Sequence, residues 1–191
     1  MSLLEIIAVI ISFLTIWLTA RRSMLCWPLG LIACACYFKL FHDVRLYADM
    51  TLQLLFGLSM VYGWIAWRRG ADAEGAVTVN RLSIVTAAIG LGLGAAGSLA
   101  IGWLTSRYTD AALPWVDSAL SSFSLVAQYW TARRYTANWL LWIAVDIIYV
   151  GMFLFKGLWL TAGLYAAMTV LAVIGYQRWL EVVSRAGRDG R

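Results

Sequence analysis

Residues 19–22 read Thr19-Ala20-Arg21-Arg22, and the same four residues return as Thr131-Ala132-Arg133-Arg134, an offset of 112. The register then holds without a gap. Trp27 meets Trp139, Leu29 meets Leu141, Tyr37 meets Tyr149, Phe41 meets Phe153, Leu46 meets Leu158, Leu52 meets Leu164, Gly63 meets Gly175 and Trp67 meets Trp179. Upstream, Glu5 meets Asp117. Coincidences between leucines and alanines are frequent in apolar sequence, but aligned tryptophans, arginine pairs and glycines are not. The chain is read as a duplication.

What is duplicated follows from the composition. Hydrophobic residues make up 62% and charged residues 13%, against roughly 25% charged in a soluble domain. The excess apolar surface has to face lipid. Stretches long enough to cross about 30 Å of hydrocarbon at 1.5 Å per residue lie near residues 2–20, 24–42, 46–67, 82–104, 115–132, 136–155 and 158–180. The fold class expected is an all-α polytopic membrane protein with seven transmembrane helices. No Lys or Arg precedes Leu3–Leu18 while Arg21 and Arg22 follow it, so this run reads as a retained helix and not a signal peptide.

Three helices belong to each copy, and the fourth stands between them. It is rich in glycine (Gly90, Gly92, Gly94, Gly97) and follows a polar linker from Arg68 to Arg81. The expected organisation is a first bundle over 1–67, a linker and connector helix over 68–114, a second bundle over 115–180 and a cytoplasmic tail over 181–191. Equivalent positions are separated by four helices, an even number, so both copies run the same way through the membrane. This is a parallel three-plus-one-plus-three repeat about an axis along the membrane normal, a plan that places a substrate site between the copies.

Eleven of the 15 basic residues fall on one side: Arg21, Arg22, Arg68, Arg69, Arg81, Arg133, Arg134, Arg178, Arg185, Arg188 and Arg191. Lys39, Arg45, Arg107 and Lys156 fall on the other. By the positive-inside rule the Arg-rich side is expected in the cytoplasm, with the N-terminus outside and the C-terminus inside. These basic residues sit beside apolar stretches and do not gather into one basic face, so the net charge of +5 does not point to nucleic acid. The expected surroundings are a lipid bilayer, and homo-oligomerisation is left open.

No enzyme signature emerges. The one histidine, His42, closes an outer helix end, and no Gly-rich phosphate loop precedes a lysine. Cys26, Cys34 and Cys36 share one apolar stretch, and Cys34 and Cys36 point to different faces of a helix. Neither a metal, a disulfide nor a cofactor is expected.

Polar groups at membrane depth are the candidates for function, because an unpaired one in hydrocarbon costs several kcal/mol. Asn138, Trp142, Asp146 and Tyr149 follow 4, 4, 3 spacing and share one helical face. That face suits a flat, polar ligand, with aromatic faces that attract cations and a carboxylate as counter-charge. The plain alternative is that Asp146 bonds a neighbouring helix. Helix 3 adds Tyr47, Asp49 and Gln53, of which Asp49 is alternatively a hydrated cap and Gln53 a helix-to-helix bond; Gln128 on helix 5 joins them. Trp27 and Trp139 occupy positions typical of an aromatic belt, although Pro28 and Gly30 loosen the helix start beside Trp27. Trp67 and Trp179 read as anchors.

Taken together, Trp27-Pro28-Leu29-Gly30, Leu46-Tyr47-Ala48-Asp49 with Leu52-Gln53, Tyr62-Gly63-Trp64 with Trp67, Asn138-Trp139 with Trp142 and Asp146, Lys156-Gly157-Leu158, and Gly175-Tyr176 with Trp179 resemble the PnuC family of bacterial vitamin transporters. The resemblance covers nearly the whole chain. It implies the plan of the SWEET sugar transporters, a place in the bacterial inner membrane, and facilitated diffusion of nicotinamide riboside, a cationic nucleoside, trapped inside by a kinase. Carried over by motif, Gln53, Asn138, Trp139, Trp142 and Tyr149 look like substrate contacts. One departure is Ala137, where the family pattern commonly has an acidic or amide residue before the Asn-Trp pair. Thiamine and riboflavin, the cargo implied for related proteins, therefore stay open beside nicotinamide riboside. So does a proton-coupled transporter using Asp146 or Asp49.

Overall fold

The computed structural model describes the backbone of residues 3–43, 47–70, 77–109, 113–155 and 157–189. The side chains of residues 41, 47–49 and 186–189 lie outside the described set. Seven helices are present among the described residues: α1 (Leu3–Ala20), α2 (Cys26–Asp43), α3 (Tyr47–Arg69), α4 (Ile84–Tyr108), α5 (Pro114–Ala132), α6 (Asn138–Phe155) and α7 (Trp159–Asp189). The duplication is visible in their ends. α1 and α5 stop at Ala20 and Ala132, α2 and α6 span Cys26–Asp43 and Asn138–Phe155, and α3 and α7 begin at Tyr47 and Trp159, each pair separated by the same 112 positions.

The repeated Thr-Ala-Arg-Arg string is a helix stop. Arg22 and Arg134 both adopt the left-handed conformation, with φ of 57° and 62°. In each copy the next residue donates back over six residues, Ser23 N–H to the Leu18 carbonyl and Tyr135 N–H to the Trp130 carbonyl, both at 2.9 Å. The left-handed residues donate to Thr19 and Thr131, again at 2.9 Å. This is a Schellman cap, which normally uses glycine; an arginine there costs roughly 1–2 kcal/mol. The side chain supplies something glycine could not. Arg22 donates to the Val77 carbonyl at 2.8 Å and Arg134 to the Gly70 carbonyl and the Thr78 hydroxyl, so both caps hold the linker between α3 and α4.

Six helices close a ring: α1, α2 and α3 pack in sequence, α3 packs on α5, then α5, α6 and α7 pack in sequence, and α7 returns to α1. The α3–α5 and α7–α1 seams are the two equivalent junctions between bundles. α4 stays outside this ring and packs on α5. Its glycines explain the close approach: a Cβ on Gly94 would meet the Phe123 ring at 2.7 Å, and one on Gly102 the Trp115 ring at 2.6 Å. Small residues let two membrane helices approach in this way.

Five helices, α1, α3, α4, α6 and α7, are long and apolar enough to cross a membrane. α5 is more polar for a structural reason. Its Ser118, Ser122, Ser124, Gln128 and Thr131 are all buried, the first two against α4, so their polarity is spent inside the protein and not against lipid. α7 continues in helical form through residues 181–189, where the sequence suggested only a tail.

Candidate functional site

The ring encloses a cavity of about 350 Å³, within the range of pockets that hold small molecules. Its walls obey the repeat. On α6 they carry Asn138, Trp139, Trp142, Asp146 and Tyr149; on α2 the equivalent positions are Cys26, Trp27, Gly30, Cys34 and Tyr37, and all ten line the cavity. α3 and α7 contribute Gln53 and Tyr165, again equivalent, and α1 and α5 contribute Thr19 and Thr131. The site is thus two-fold in placement and asymmetric in chemistry. The α6 wall presents an amide, an indole and a carboxylate where the α2 wall presents two thiols and a glycine.

Of the ten residues singled out from the sequence, Trp27, Gln53, Gln128, Asn138, Trp139, Trp142, Asp146 and Tyr149 meet at this cavity. The side chains of Tyr47 and Asp49 lie outside the described residues. Asp146 is 7% exposed and is the one formally charged residue among the described lining. It has no hydrogen-bond or ion-pair partner among the described residues, so the helix-bonding alternative finds no support there. Beside it, the Tyr165 ring packs at a tilt on Tyr149 with centroids 4.5 Å apart and stacks on Phe153 at 5.2 Å.

Asn138 is fully buried, and both ends of its amide are engaged within the protein. Its Oδ1 accepts from the Thr131 hydroxyl at 3.1 Å, and its Nδ2 donates to the Tyr135 carbonyl at 2.6 Å. The same Thr131 oxygen accepts the Trp142 indole N–H at 3.3 Å. Thr131 therefore fixes the orientation of two wall residues at once. In the first copy Thr19 stands in the same relation to Cys26, whose thiol hydrogen-bonds with it.

Four tryptophans pack at the Arg-rich end of the cavity. Trp27 meets Trp67 edge-on at 5.1 Å, Trp139 meets Trp179 edge-on at 5.6 Å, and Trp67 and Trp179 meet each other at 6.1 Å. None behaves as a membrane anchor or belt residue: Trp67 and Trp179 have no exposed surface and Trp27 and Trp139 have 2%. Hydropathy and position give no sense of direction, and these rings point inward. Gly63 and Gly175 make the room, each facing the ring of the tryptophan of its own bundle.

Sequence reasoning passed over Tyr37, Cys34, Thr131 and Tyr165 as wall residues. The signal for three of them was available. Shifting each expected contact by 112 positions converts Tyr149 to Tyr37, Asp146 to Cys34 and Gln53 to Tyr165.

The family model described as nicotinamide mononucleotide transporter matches residues 2–181. The chain is similar to the nicotinamide riboside transporter PnuC of Escherichia coli (strain K12), 25% identical over 212 residues that cover 98% of this chain and 89% of that one. It is also similar to the riboflavin/roseoflavin transporter RibM of Streptomyces davaonensis, 26% identical over 190 residues covering 98% and 87%. With the PnuC of Neisseria mucosa it shares 28% over 203 residues, covering 96% and 74%. Among solved structures, the crystal structure of the vitamin B3 transporter PnuC matches its fold with a TM-score of 0.76 at 23% identity, covering 95% of this chain and 82% of that one. With the helical ring and its cavity, the family match over nearly the whole chain makes this a multi-pass membrane transporter and not an enzyme: it belongs to the nicotinamide mononucleotide transporter family, the PnuC vitamin transporters.

Proposed function

We propose that the chain carries a flat, cationic vitamin, nicotinamide riboside first, by facilitated diffusion across the bacterial inner membrane. The observation that carries this reading is Asp146: a buried carboxylate in the cavity wall, without a partner among the described residues, on the face it shares with Trp142 and Tyr149. An unpaired charge in hydrocarbon is costly, and a cationic ligand between aromatic rings would offset that cost. Trp142, Tyr149, Tyr165 and Gln53 are the proposed contacts, and Asn138 and Thr131 hold the wall in place. The orientation follows the arginine asymmetry, with the N-terminus outside and the Arg-rich end in the cytoplasm. The four packed tryptophans then shut the cytoplasmic end, and rocking of one bundle against the other at the α3–α5 and α7–α1 seams would open it. Phosphorylation of the cargo inside the cell would prevent its return.

Riboflavin is the second reading, supported by similarity to a riboflavin/roseoflavin transporter at an identity equal to that with the riboside carriers. Thiamine, another flat cation, would suit the same wall. Tryptophan-fluorescence quenching by nicotinamide riboside, thiamine and riboflavin in turn, followed by counterflow in proteoliposomes, separates the three. Tight, saturable binding of uncharged riboflavin with none of either cation would overturn the cationic reading. Uptake that responds to an imposed pH gradient would instead make Asp146 a proton carrier.

A further inference from the structure

A second pocket, of about 340 Å³, lies at the Arg-rich end on the outside of the helix ring, between the ends of α3 and α5 and the turn into α6. It is separate from the cavity between the bundles and shares no residue with it. Three guanidinium groups line it, from Arg69, Arg133 and Arg134, together with the phenols of Tyr62 and Tyr135. No carboxylate is among its described lining residues.

Arg133 and Arg134 are held by neighbouring groups, and Arg134 is incompletely satisfied among the described residues. Tyr62 and Tyr135 hydrogen-bond with Arg133 and raise its pKa above the ordinary arginine value. Arg134 is fixed by the Gly70 carbonyl and the Thr78 hydroxyl, and its buried Nε has no acceptor among the described residues. Burial and the neighbouring Arg133 push its pKa below the usual arginine range. The backbone around it is pinned as well: Asn80 N–H donates to the Arg134 carbonyl at 2.9 Å and Thr136 N–H to the Asn80 carbonyl at 3.1 Å.

The repeat supplies an internal comparison. At the equivalent place in the other half, Arg133 and Arg134 become Arg21 and Arg22, but Tyr62 becomes Ile174, Tyr135 becomes Ser23, and Arg69 becomes Glu181. There Arg21 lies over the Trp17 ring at 3.7 Å. The fold therefore does not require a basic, phenol-lined pocket at this junction, and only one half has it. On the lipid-facing side of the pocket Tyr62 stacks on Tyr129 at 6.1 Å, and Ile65 is exposed beside them.

We infer that this pocket binds a phosphate group, with Arg69 and Arg133 as the ligating guanidinium groups and Arg134 as the fixed charge behind them. Guanidinium forks match phosphate oxygens in pairs. The apolar rim of Tyr62, Ile65 and Tyr129 favours a phospholipid as the bearer, since basic pockets between membrane helices take lipid headgroups. Free phosphate offers the same chemistry without the chains.

The test uses the full chain extracted from mixed phosphatidylglycerol and phosphatidylcholine vesicles, with retained lipid read by native mass spectrometry. Phosphatidylglycerol is expected to be retained several-fold over phosphatidylcholine. Retention should fall several-fold in R69Q/R133Q and be unchanged in R21Q. A second arm titrates inorganic phosphate into delipidated protein in neutral detergent and reads the unfolding midpoint. Stabilisation by phosphate in wild type but not in R69Q/R133Q, without lipid retention, identifies a soluble source. If wild type neither retains the anionic lipid nor responds to phosphate, or if R69Q/R133Q matches wild type in both arms, the inference is wrong. Should the double variant not fold, R69Q alone, at the exposed end of α3, is read in the same two arms, and wild-type behaviour from it overturns the inference.

Discussion

Trp67 and Trp179 sit ring to ring between the two bundles, and each donates its indole N–H across to the other bundle. Trp67 reaches the Thr131 carbonyl at 3.1 Å and Trp179 the Thr19 carbonyl at 3.2 Å. The exchange is reciprocal, because Trp67 and Trp179 are equivalent in the repeat and so are Thr19 and Thr131. Each acceptor lies in the last turn before an Arg-Arg cap, so the cap and the lock are built by one repeated string. Trp67→Phe and Trp179→Phe each remove one donor and keep most of the ring. Each is expected to lower stability by about 1 kcal/mol, and the alanine variants by roughly 3–5 kcal/mol. Unfolding midpoints in one detergent check this. A large effect from one phenylalanine variant and none from the other would show that the lock is not reciprocal.

The glycines beneath the lock make a graded series. A Cβ on Gly63 would lie 2.0 Å from the Trp27 ring, one on Gly175 2.7 Å from the Trp139 ring, and one on Gly151 would meet nothing within 4 Å. Both rings are buried and cannot swing away freely, so Gly63→Ala should destabilise by about 1–3 kcal/mol and Gly175→Ala by less. Gly151→Ala, in the interior of α6, should be neutral or slightly stabilising. The order of the three midpoints is the measurement, and Gly63→Ala equal to Gly151→Ala would contradict the packing described.

The same residues show what could be read from the sequence. The seven helices, the three-plus-one-plus-three plan and the α6 wall of the cavity were legible, because span length, repeat offset and helical spacing are one-dimensional quantities. The direction in which a side chain points is not. Trp27, Trp67, Trp139 and Trp179 stand near the ends of apolar runs, where tryptophan usually meets lipid headgroups, and only the packing of six helices turns them inward. The left-handed arginines were hidden differently: glycine is the usual signal for such a cap, and nothing in a pair of arginines announces a backbone dihedral.

Asp146 tests the cargo. Asp146→Asn keeps size and shape and removes the charge, so the fold should persist. Losing the counter-charge of a buried cation should cost about 2 kcal/mol or more of binding, a weakening of roughly 30-fold. Binding of uncharged riboflavin should change little. Fluorescence titration of both ligands against both proteins gives the comparison, and an equal loss for charged and uncharged ligands would remove the electrostatic role.

Cys34 occupies on α2 the place that Asp146 holds on α6, and it lines the same cavity. Its thiol is small, and on the proposed function the space beside it is the ligand's. Cys34→Phe should fill that room and abolish binding while the protein remains folded. In a C26S/C36S background, a small thiol reagent should label Cys34 several-fold more slowly when the cavity is saturated with its vitamin. Labelling at the same rate with and without a bound vitamin would place the ligand elsewhere.

Thr131 and Thr19 separate the polar half of the site from the apolar half. Both hydroxyls lie against a carbonyl four residues earlier, Thr131 against Ala127 at 2.9 Å and Thr19 against Thr15 at 2.8 Å, and the single Thr131 proton is shared between that carbonyl and the Asn138 oxygen. Only Thr131 also holds an amide and an indole, those of Asn138 and Trp142; Thr19 has a thiol, a weak partner. Thr131→Val leaves the Asn138 oxygen without its donor and the Trp142 N–H without its acceptor, at about 1–3 kcal/mol for buried groups. Thr19→Val should cost less than half as much. Because Trp142 would lose its fixed orientation, Thr131→Val should also weaken vitamin binding where Thr19→Val does not. Midpoints and affinities measured on the two variants side by side decide it. Equal losses would mean that the two halves contribute alike and that the polar wall of α6 is not what the ligand reads.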